Sequence, residues 1–208
     1  MANAGESPRG PYRTGIRRRE QIVAAAARAF GMHGYDGASM RQIAADVGVS
    51  PAALLRHFQD KEDLLAAVLE WWASETAALG AGERTGLQGF NDLRAYMTYH
   101  VEHRGLLELF IRLTGEASNE KHPARAFIQQ RYGKVVDTLA ERLVDVARTG
   151  EIPPITLVQA ESEIRALCAT MDGLEIQWLL DPTVDLVGLF DQYLDHTLDR
   201  WRQGRYAR

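Results

Sequence analysis

The sequence contains a single cysteine, Cys168, among its 208 residues. An intrachain disulfide is therefore impossible, which fits a protein kept in a reducing compartment. No stretch reaches the roughly 18 apolar residues that a membrane-spanning helix needs. The first residues include proline and arginine where a secretory signal would be apolar. These absences predict a cytoplasmic protein without a membrane partner.

Patterns that support catalysis or metal binding are also scarce. His100 and His103 have a spacing that can bind metal on a helix, but no clear third ligand accompanies them. The glycines from Gly80 to Gly86 follow a helical pattern rather than a strand, and their spacing differs from a dinucleotide-binding loop. No catalytic triad or carboxylate pair has a supporting context. We therefore expect no cofactor, no metal and no enzyme activity, with an α-bundle enzyme as a remote alternative.

Acidic residues outnumber basic ones, and the formal net charge is −4. The charge is unevenly distributed, because residues 1–63 contain nine lysines and arginines against seven acids. This part is therefore +2 and the remainder −6. Five arginines fall within residues 9–19. Since electrostatic steering depends on the local potential, the N-terminal part can attract a polyanion although the whole chain is acidic.

Apolar residues recur at helical spacing along most of the chain, and no alternating strand pattern appears. The sequence predicts an all-α fold of about nine helices, a three-helix N-terminal domain followed by a larger bundle. Its predicted parts are a disordered basic arm over 1–12, a first domain over 13–60 and a second over 61–208. Helical periodicity begins near Thr14 and is expected to end at Gly31 and Gly34. Residues 80–89 predict a linker, and the later helical stretches are 90–115, 123–149, 157–180 and 183–203, with a break at Gly105.

Two short helices within residues 39–58 are joined too tightly to lie side by side. Ser39 and Gln42 form a capping-box pattern at the start of the first, and Gly48 suits the left-handed backbone that ends it. Ser50 and Pro51 suit the cap and the first position of the next helix, which is predicted to end near Phe58. Such a pair meets at a steep angle, which predicts a helix-turn-helix whose second helix enters the major groove of DNA.

The order and spacing of the residues in this segment resemble those of the TetR family of transcriptional regulators. The residues that carry the resemblance are Phe30, Gly34, Tyr35, Ser39, Ile43, Ala44, Gly48, Val49, Ser50, Leu54, Phe58, Lys61, Glu62, Leu64 and Leu65. A second segment, from Asp172 to Pro182, resembles the penultimate-helix segment of many members. The resemblance implies a regulator, usually a repressor, that binds an operator in double-stranded DNA as a homodimer and responds to a small molecule. An activator, or a regulator without an inducer, is the alternative.

The candidate DNA-binding residues lie in three places. The helix N-terminus at Ser39, Met40, Arg41 and Gln42 can face a phosphate, because helix N-termini favour anions. The resemblance implies that Arg41 also reaches a base and that Lys61 contacts phosphate, while His57 either donates to phosphate or packs on the first helix. Arg17, Arg18 and Arg19, with Arg9 and Arg13 of the arm, could follow the DNA backbone or the minor groove. The recognition helix contributes Ser50, Pro51, Ala52, Ala53, Leu55 and Arg56.

The recognition helix departs from the family pattern. Many members have threonine and tyrosine where this chain has Ala53 and Leu55. Few hydrogen-bond donors are left, so we expect Arg41 and Arg56 to read bases directly and Ala52 and Ala53 to contact thymine methyl groups. The shape of the DNA supplies part of the remaining specificity.

The last two predicted helices are apolar on more than one face, which indicates burial on two sides. One stripe suits the core of the chain and the other a second copy, as the resemblance implies. The candidate interface residues are Leu167, Gly173, Leu174, Ile176, Leu180, Leu189, Phe190, Tyr193 and Leu194.

The resemblance also places an effector pocket among the middle helices. Its candidate lining residues are Trp71, Trp72, Tyr96, Met97, His100, Phe110, Leu113, Phe127, Arg131, Tyr132, Met171 and Trp178. We expect a largely apolar pocket with few polar groups, and an effector that is itself largely apolar.

Overall fold

The computed structural model describes the backbone of residues 11–77 and 85–206, and the side chains of residues 15–75 and 85–206. Within these ranges the chain forms nine α-helices and no strand, which confirms the all-α prediction. The helices are α1 (Pro11–Gly37), α2 (Met40–Val47), α3 (Pro51–Leu54), α4 (Lys61–Ala77), α5 (Asp92–Glu102), α6 (Arg104–Glu116), α7 (Arg125–Arg148), α8 (Leu157–Leu180) and α9 (Leu186–Arg202). None of the helices in the described ranges has the length and apolar character needed to cross a membrane.

The chain divides into two compact units, with the division between Trp71 and Trp72. The first unit contains α1 to α3 and the beginning of α4. This unit extends further than the segment 13–60 proposed from the sequence. The second unit contains the end of α4 and helices α5 to α9. The division falls inside α4, so this helix contributes residues to both units.

The first unit is held together by a small core in which α1, α2, α3 and the start of α4 each supply apolar side chains. These side chains are at most 1% exposed and belong to Ile22, Ala26, Phe30, Ile43, Leu54, Phe58, Leu64 and Leu65. Burial of these side chains is the main favourable contribution to the folding free energy of a unit whose helices are so short. α3 has only one buried residue, Leu54, so its position depends on this single anchor and on its caps.

The caps at the turn between α2 and α3 agree with the sequence at three of four positions. Ser39 and Ser50 cap α2 and α3, their hydroxyls accepting from the amides of Gln42 and Ala53 at 3.2 and 3.1 Å. Gly48 is left-handed (φ 71°) and donates to the last carbonyls of α2. The predicted return bond of the capping box is absent, because the Gln42 side chain donates to Asp46 on the same helix.

Three element boundaries differ from the sequence prediction. α1 begins at Pro11 and runs through Gly31, and only Gly34 (φ 74°, ψ 173°) interrupts it. α3 is regular only over Pro51–Leu54 and continues as a turn to Phe58. In the predicted linker 80–89, a 3-10 helix covers Gly86–Asn91, whereas residues 78–84 lie outside the described part. The arm predicted over residues 1–12 lies outside it too, except that Pro11 and Tyr12 belong to α1.

The second unit is built on the long helices α7 and α8, with α5, α6 and α9 packed around them. A buried carboxylate joins α8 to α9. Glu163 is 1% exposed, and it accepts hydrogen bonds from the indole of Trp201 at 2.8 Å and from both terminal nitrogens of Arg200. Burying a carboxylate is tolerated only when donors replace the lost water, and here three do.

We predict that Gly48→Ala lowers the free energy of unfolding by about 1 kcal/mol, because an L side chain is strained at a positive φ. An added Cβ would meet nothing within 4 Å, so strain in the backbone is the only expected cause. Urea unfolding followed by circular dichroism measures the change. The matched control is Gly133→Ala in α7, where the backbone has no positive φ and space is also open. That variant should be stabilised by about 0.5–1 kcal/mol, and equal effects at the two sites would contradict the assignment.

Candidate DNA-binding surface and ligand cavity

The surface of α3 and the turn after it is small, apolar and open. Ser50, Pro51 and Ala52 are exposed, Ala53 is half-buried, and Leu55 is 52% exposed. Arg56 is exposed as well and is the one lysine or arginine between Ser50 and Phe58, and the neighbouring His57 is half-buried. This surface offers methyl and methylene groups with a single guanidinium.

The N-terminus of α2 lies on the same three-helix unit and presents a second cation. Arg41 and Gln42 are exposed, Ser39 is exposed but engaged in capping, and Met40 is half-buried. The amides of this first turn have no carbonyl partner within the helix. Arg41 therefore projects from the end of a helix that already favours an anion.

The three arginines at the start of α1 have different environments. Arg17 is exposed. Arg18 donates to the carbonyl of Val47 at 3.4 Å, near the C-terminus of α2, and the Arg19 guanidinium lies 4.7 Å from the ring centre of Phe58. Arg18 and Arg19 thus contact the unit itself, although Arg19 is exposed like Arg17. The side chains of Arg9 and Arg13 lie outside the described part of the chain.

The ammonium of Lys61 is already occupied. It donates to the carbonyls of Tyr35 at 2.9 Å and Ala38 at 3.2 Å, and lies 4.4 Å from the ring centre of Tyr35. A lysine has three donors, and the carbonyl of Asp36 at 3.5 Å accepts a longer third bond. These carbonyls lie in the last turn of α1 and just after it, so Lys61 caps the end of that helix rather than presenting a charge to solvent.

A cavity of about 560 Å³ lies within the second unit. Its walls are formed by α4, α5, α6, α7 and α8. The residues that line it are Ala73, Gly89, Asp92, Leu93, Tyr96, His100, Phe110, Phe127, Gln130, Arg131, Tyr132, Lys134, Val135, Thr138, Leu139, Arg142, Cys168, Met171, Asp172 and Glu175. This volume suits a drug-sized molecule.

Seven of the candidate pocket residues of the sequence analysis line this cavity. They are Tyr96, His100, Phe110, Phe127, Arg131, Tyr132 and Met171. Met97 and Leu113 do not, because they are at most 1% exposed and belong to the core. Trp178 lies beneath the guanidinium of Arg104, and Trp71 belongs to the first unit. Trp72 is buried behind the lining, with its ring stacked on Phe110 at 4.8 Å.

Polar groups in the cavity form pairs across neighbouring helices. The imidazole Nδ1 of His100 on α5 lies 2.6 Å from a carboxylate oxygen of Glu175 on α8, and both side chains are 2% exposed. The hydroxyl of Tyr132 on α7 donates to Asp172 on α8 at 2.6 Å. Arg131 donates to the hydroxyl of Tyr96 at 2.8 Å. The expectation of few polar groups was therefore wrong.

Burial changes the acidity of several of these groups. Removal from water raises the pKa of Tyr96 to about 12 and that of the Cys168 thiol to about 11. The pKa of Tyr132 is raised by burial and then by its bond to Asp172. Burial also raises the pKa of Asp172, against the hydrogen bond from Tyr132, which lowers it. The phenols and the thiol thus stay protonated at neutral pH, and Cys168 is a poor nucleophile.

Sequence reasoning missed most of the charged cavity residues, Asp92, Lys134, Arg142, Asp172 and Glu175. The sequence did contain a usable signal. Asp172 follows Met171 directly and Glu175 lies one helical turn beyond it, and Met171 was among the candidate pocket residues. His103, by contrast, does not line the cavity: it is exposed, and its ring stacks on Tyr99 at 3.9 Å. Within the described ranges no group of three potential ligands gathers to hold a metal ion.

The candidate interface residues on α8 and α9 separate into two sets. Leu167, Phe190 and Leu194 are fully buried in the chain's own core, so their assignment to an interface was wrong. Leu180 is 82% exposed, Ile176 42% and Leu189 41%. Gly173, Leu174 and Tyr193 are half-buried. Two helices of one unit therefore present apolar side chains to solvent.

Comparison with known proteins agrees with this architecture. Residues 22–68 match the family described as bacterial regulatory proteins, tetR family. The transcriptional regulator TtgR of Pseudomonas putida is 32% identical over 203 residues, covering 88% of this chain and 91% of that protein. The transcriptional repressor AcnR of Corynebacterium diphtheriae is 32% identical over 136 residues, 65% of this chain and 68% of that one.

Solved structures show the same fold. A TetR-family regulator from Agrobacterium tumefaciens superposes with a TM-score of 0.73 at 17% identity, covering 89% of this chain and 98% of that one. A transcriptional regulator from Rhodococcus sp. Rha1 gives a TM-score of 0.71 at 24% identity, covering 89% and 96%. Together with the TtgR relationship and the helix-turn-helix, these likenesses show that the chain belongs to the TetR family of helix-turn-helix transcriptional regulators.

Proposed function

We propose that this regulator is a repressor that binds a pseudopalindromic operator as a homodimer and is released when a small molecule occupies the cavity. The observation that carries the proposal is the exposed surface from Ser50 to Arg56, held on a capped helix-turn-helix in a chain of this family. Similarity to AcnR, which is named as a repressor, supports repression over activation.

The composition of the recognition surface suits a particular kind of readout. Arg41 and Arg56 supply guanidinium groups that can bond guanine in two places, while Ala52, Ala53 and Leu55 offer only apolar contact. Arg17 adds an exposed charge that suits the DNA backbone. Lys61 has no role in this scheme beyond holding α1, because its donors are engaged.

A second copy of the chain is the occupant that suits the exposed residues of α8 and α9. Ile176 and Leu180 lie one helical turn apart on α8, and large exposed apolar side chains grouped in this way are unusual in a monomer. A two-fold dimer uses the same patch on both copies and sets two recognition helices about 34–36 Å apart, which matches successive major grooves.

The helix α4 is shared by the cavity and the DNA-binding unit. Trp72 and Ala73 are the first residues of the second unit, and Trp72 lies 3.8 Å beneath the guanidinium of Arg131 at the cavity wall. Residues of α4 from Lys61 to Trp71 belong to the first unit. A ligand that displaces Arg131 would disturb the packing of Trp72, and its effect on DNA affinity is limited by its differential affinity for the two states, about 1–3 kcal/mol in typical cases.

We predict that Arg41→Ala and Arg56→Ala each weaken operator binding by about 1–3 kcal/mol while affecting unrelated DNA much less, because each loses a base contact. The operator is first located by footprinting the DNA that flanks the gene, and affinities are then measured by fluorescence anisotropy. Arg148→Ala on α7, an exposed arginine of the second unit, is the matched control and should change neither affinity. Equal losses of affinity for the operator and for unrelated DNA would show that neither arginine reads bases.

We predict that Lys61→Ala lowers the melting temperature but leaves the salt dependence of DNA binding unchanged, because the ammonium caps α1. Arg17→Ala should have the opposite pattern, reducing the slope of log affinity against log salt by about one, as expected for one lost phosphate contact. Arg17 alone is preferred to the triple alanine variant, since Arg18 and Arg19 also hold the unit together. A reduced slope in Lys61→Ala would show that Lys61 binds phosphate.

We predict that the double variant Ile176→Glu, Leu180→Glu is monomeric and loses at least about 100-fold in operator affinity, because burying unpaired carboxylates opposes association. Analytical ultracentrifugation and anisotropy measure the two effects. The control is Val158→Glu, which alters another exposed apolar residue (73%) near the start of the same helix. A dimeric double variant, or a monomer that binds the operator normally, would contradict the proposed assembly.

A further inference from the structure

The acidic end of the cavity is the part where α8 meets α5 and α7. It consists of His100, Asp172 and Glu175 with the rings of Phe110, Phe127 and Tyr132, all of which line the same space. Asp172 and Glu175 are three residues apart on α8, so their carboxylates occupy neighbouring positions on one helical face.

The two carboxylates have fewer protein donors than they can accept. Glu175 is 2% exposed, yet within the described part of the chain its one side-chain hydrogen bond is to His100, through a single carboxylate oxygen. Asp172 likewise makes one within those ranges, from Tyr132. Both residues line the cavity, where a molecule with a donor or a positive charge can bond to carboxylate oxygens that these protein donors leave free.

Three cations line the cavity, and Arg131 is the one that lies close to the acidic end. Its guanidinium donates to Tyr96, lies over the ring of Trp72 and is 5.8 Å from the ring centre of Phe110. Arg142 donates to the carbonyl of Gly89. It follows Arg131 by eleven residues along α7, which is about 16 Å at the rise of an α-helix. Lys134 is exposed. Arg142 and Asp92 thus lie toward the end of the cavity beside Gly89, whereas two carboxylates, Asp172 and Glu175, lie at the end with His100 and the aromatic rings.

Aromatic rings complete the environment. Phe110 and Tyr132 lie with ring centres 6.2 Å apart, and Phe110 is stacked on Trp72. Faces of such rings attract a cation, and they also stack on flat ligands. Burial raises the pKa of Asp172 because it removes the carboxylate from water, and the hydrogen bond from Tyr132 and the charge of Arg131 offset only part of this effect. A further cation beside Asp172 would offset more of it.

We propose that the acidic end of the cavity binds a planar aromatic cation, with Asp172 and Glu175 facing its charge and Phe110, Phe127 and Tyr132 facing its rings. This inference rests on the proposed effector role of the cavity and names the chemical class of the ligand. Arg131 lies on the same wall and could pair with an aromatic anion instead. Binding of an aromatic cation and of an aromatic anion must therefore be compared directly.

The experiment uses three probes of nearly the same shape and different charge: 1-methylquinolinium, 1-methylnaphthalene and 1-naphthoate. Each is titrated into the full-length protein without DNA and followed by calorimetry, with competition for the poorly dissolving neutral probe. We expect the cation to bind about tenfold or more tightly than the neutral probe, and the anion more weakly than both.

Variants then locate the charge that is recognised. Glu175→Gln and Asp172→Asn should each lower the affinity for the cation about tenfold, and each should change the affinity for the neutral probe by less than about twofold. Glu141→Gln, an exposed acid on α7 outside the cavity, loses the same charge and should change nothing. Circular dichroism melting checks that each variant is folded, and the comparison of probes on the unmodified protein decides the matter even if a variant is not.

Equal binding of cation and neutral probe, preference for the anion, or no binding of the cation would each overturn the inference. None of these results bears on operator binding, which is measured without any probe. A failure of the proposed ligand class is thus distinguishable from a failure of the proposed regulator.

Discussion

The sharp turn between α2 and α3 is the constraint on which the DNA-binding surface depends. A helix of four regular residues cannot be stable alone, because helix nucleation is unfavourable and few hydrogen bonds follow it. Gly48 ends α2 in a conformation that other residues rarely adopt, Ser50 caps the next helix, and Leu54 inserts a fully buried side chain. With Gly48, Ser50 and Leu54 in place, the exposed side chains of α3 contribute little to holding the fold together. They can therefore be used for recognition.

Features that depend on neighbours in sequence were predictable, and features that depend on distant partners were not. The caps at Ser39, Gly48 and Ser50 follow from local rules, and the structure contains all three. The role of Lys61 could not be read in the same way, since its acceptors lie 23 to 26 residues earlier in the chain. Gln42 shows that even local rules compete, because Asp46 offered an acceptor on its own helix face.

The same distinction explains the cavity and the exposed face of α8 and α9. Periodicity shows that these helices have two apolar faces, but it does not say which face meets the chain's own core. Leu167 and Leu180 lie on one helix and look alike in sequence, yet one is fully buried and the other 82% exposed. Likewise the aromatic candidates for the cavity were found by residue type, whereas Asp172 and Glu175 line it only because α7 and α5 happen to leave space there.

Two buried glutamates on α8 show how the second unit combines stability with binding. Glu163 and Glu175 are 1% and 2% exposed and face the same desolvation cost. Glu163 receives donors from Trp201 and Arg200 that use both of its oxygens, so it fastens α9 and has nothing left to offer a ligand. Glu175 receives one bond, from His100, and borders a cavity. Glu175 therefore still has an oxygen that no side chain of the described residues bonds, and it can offer this oxygen to a molecule that enters the cavity.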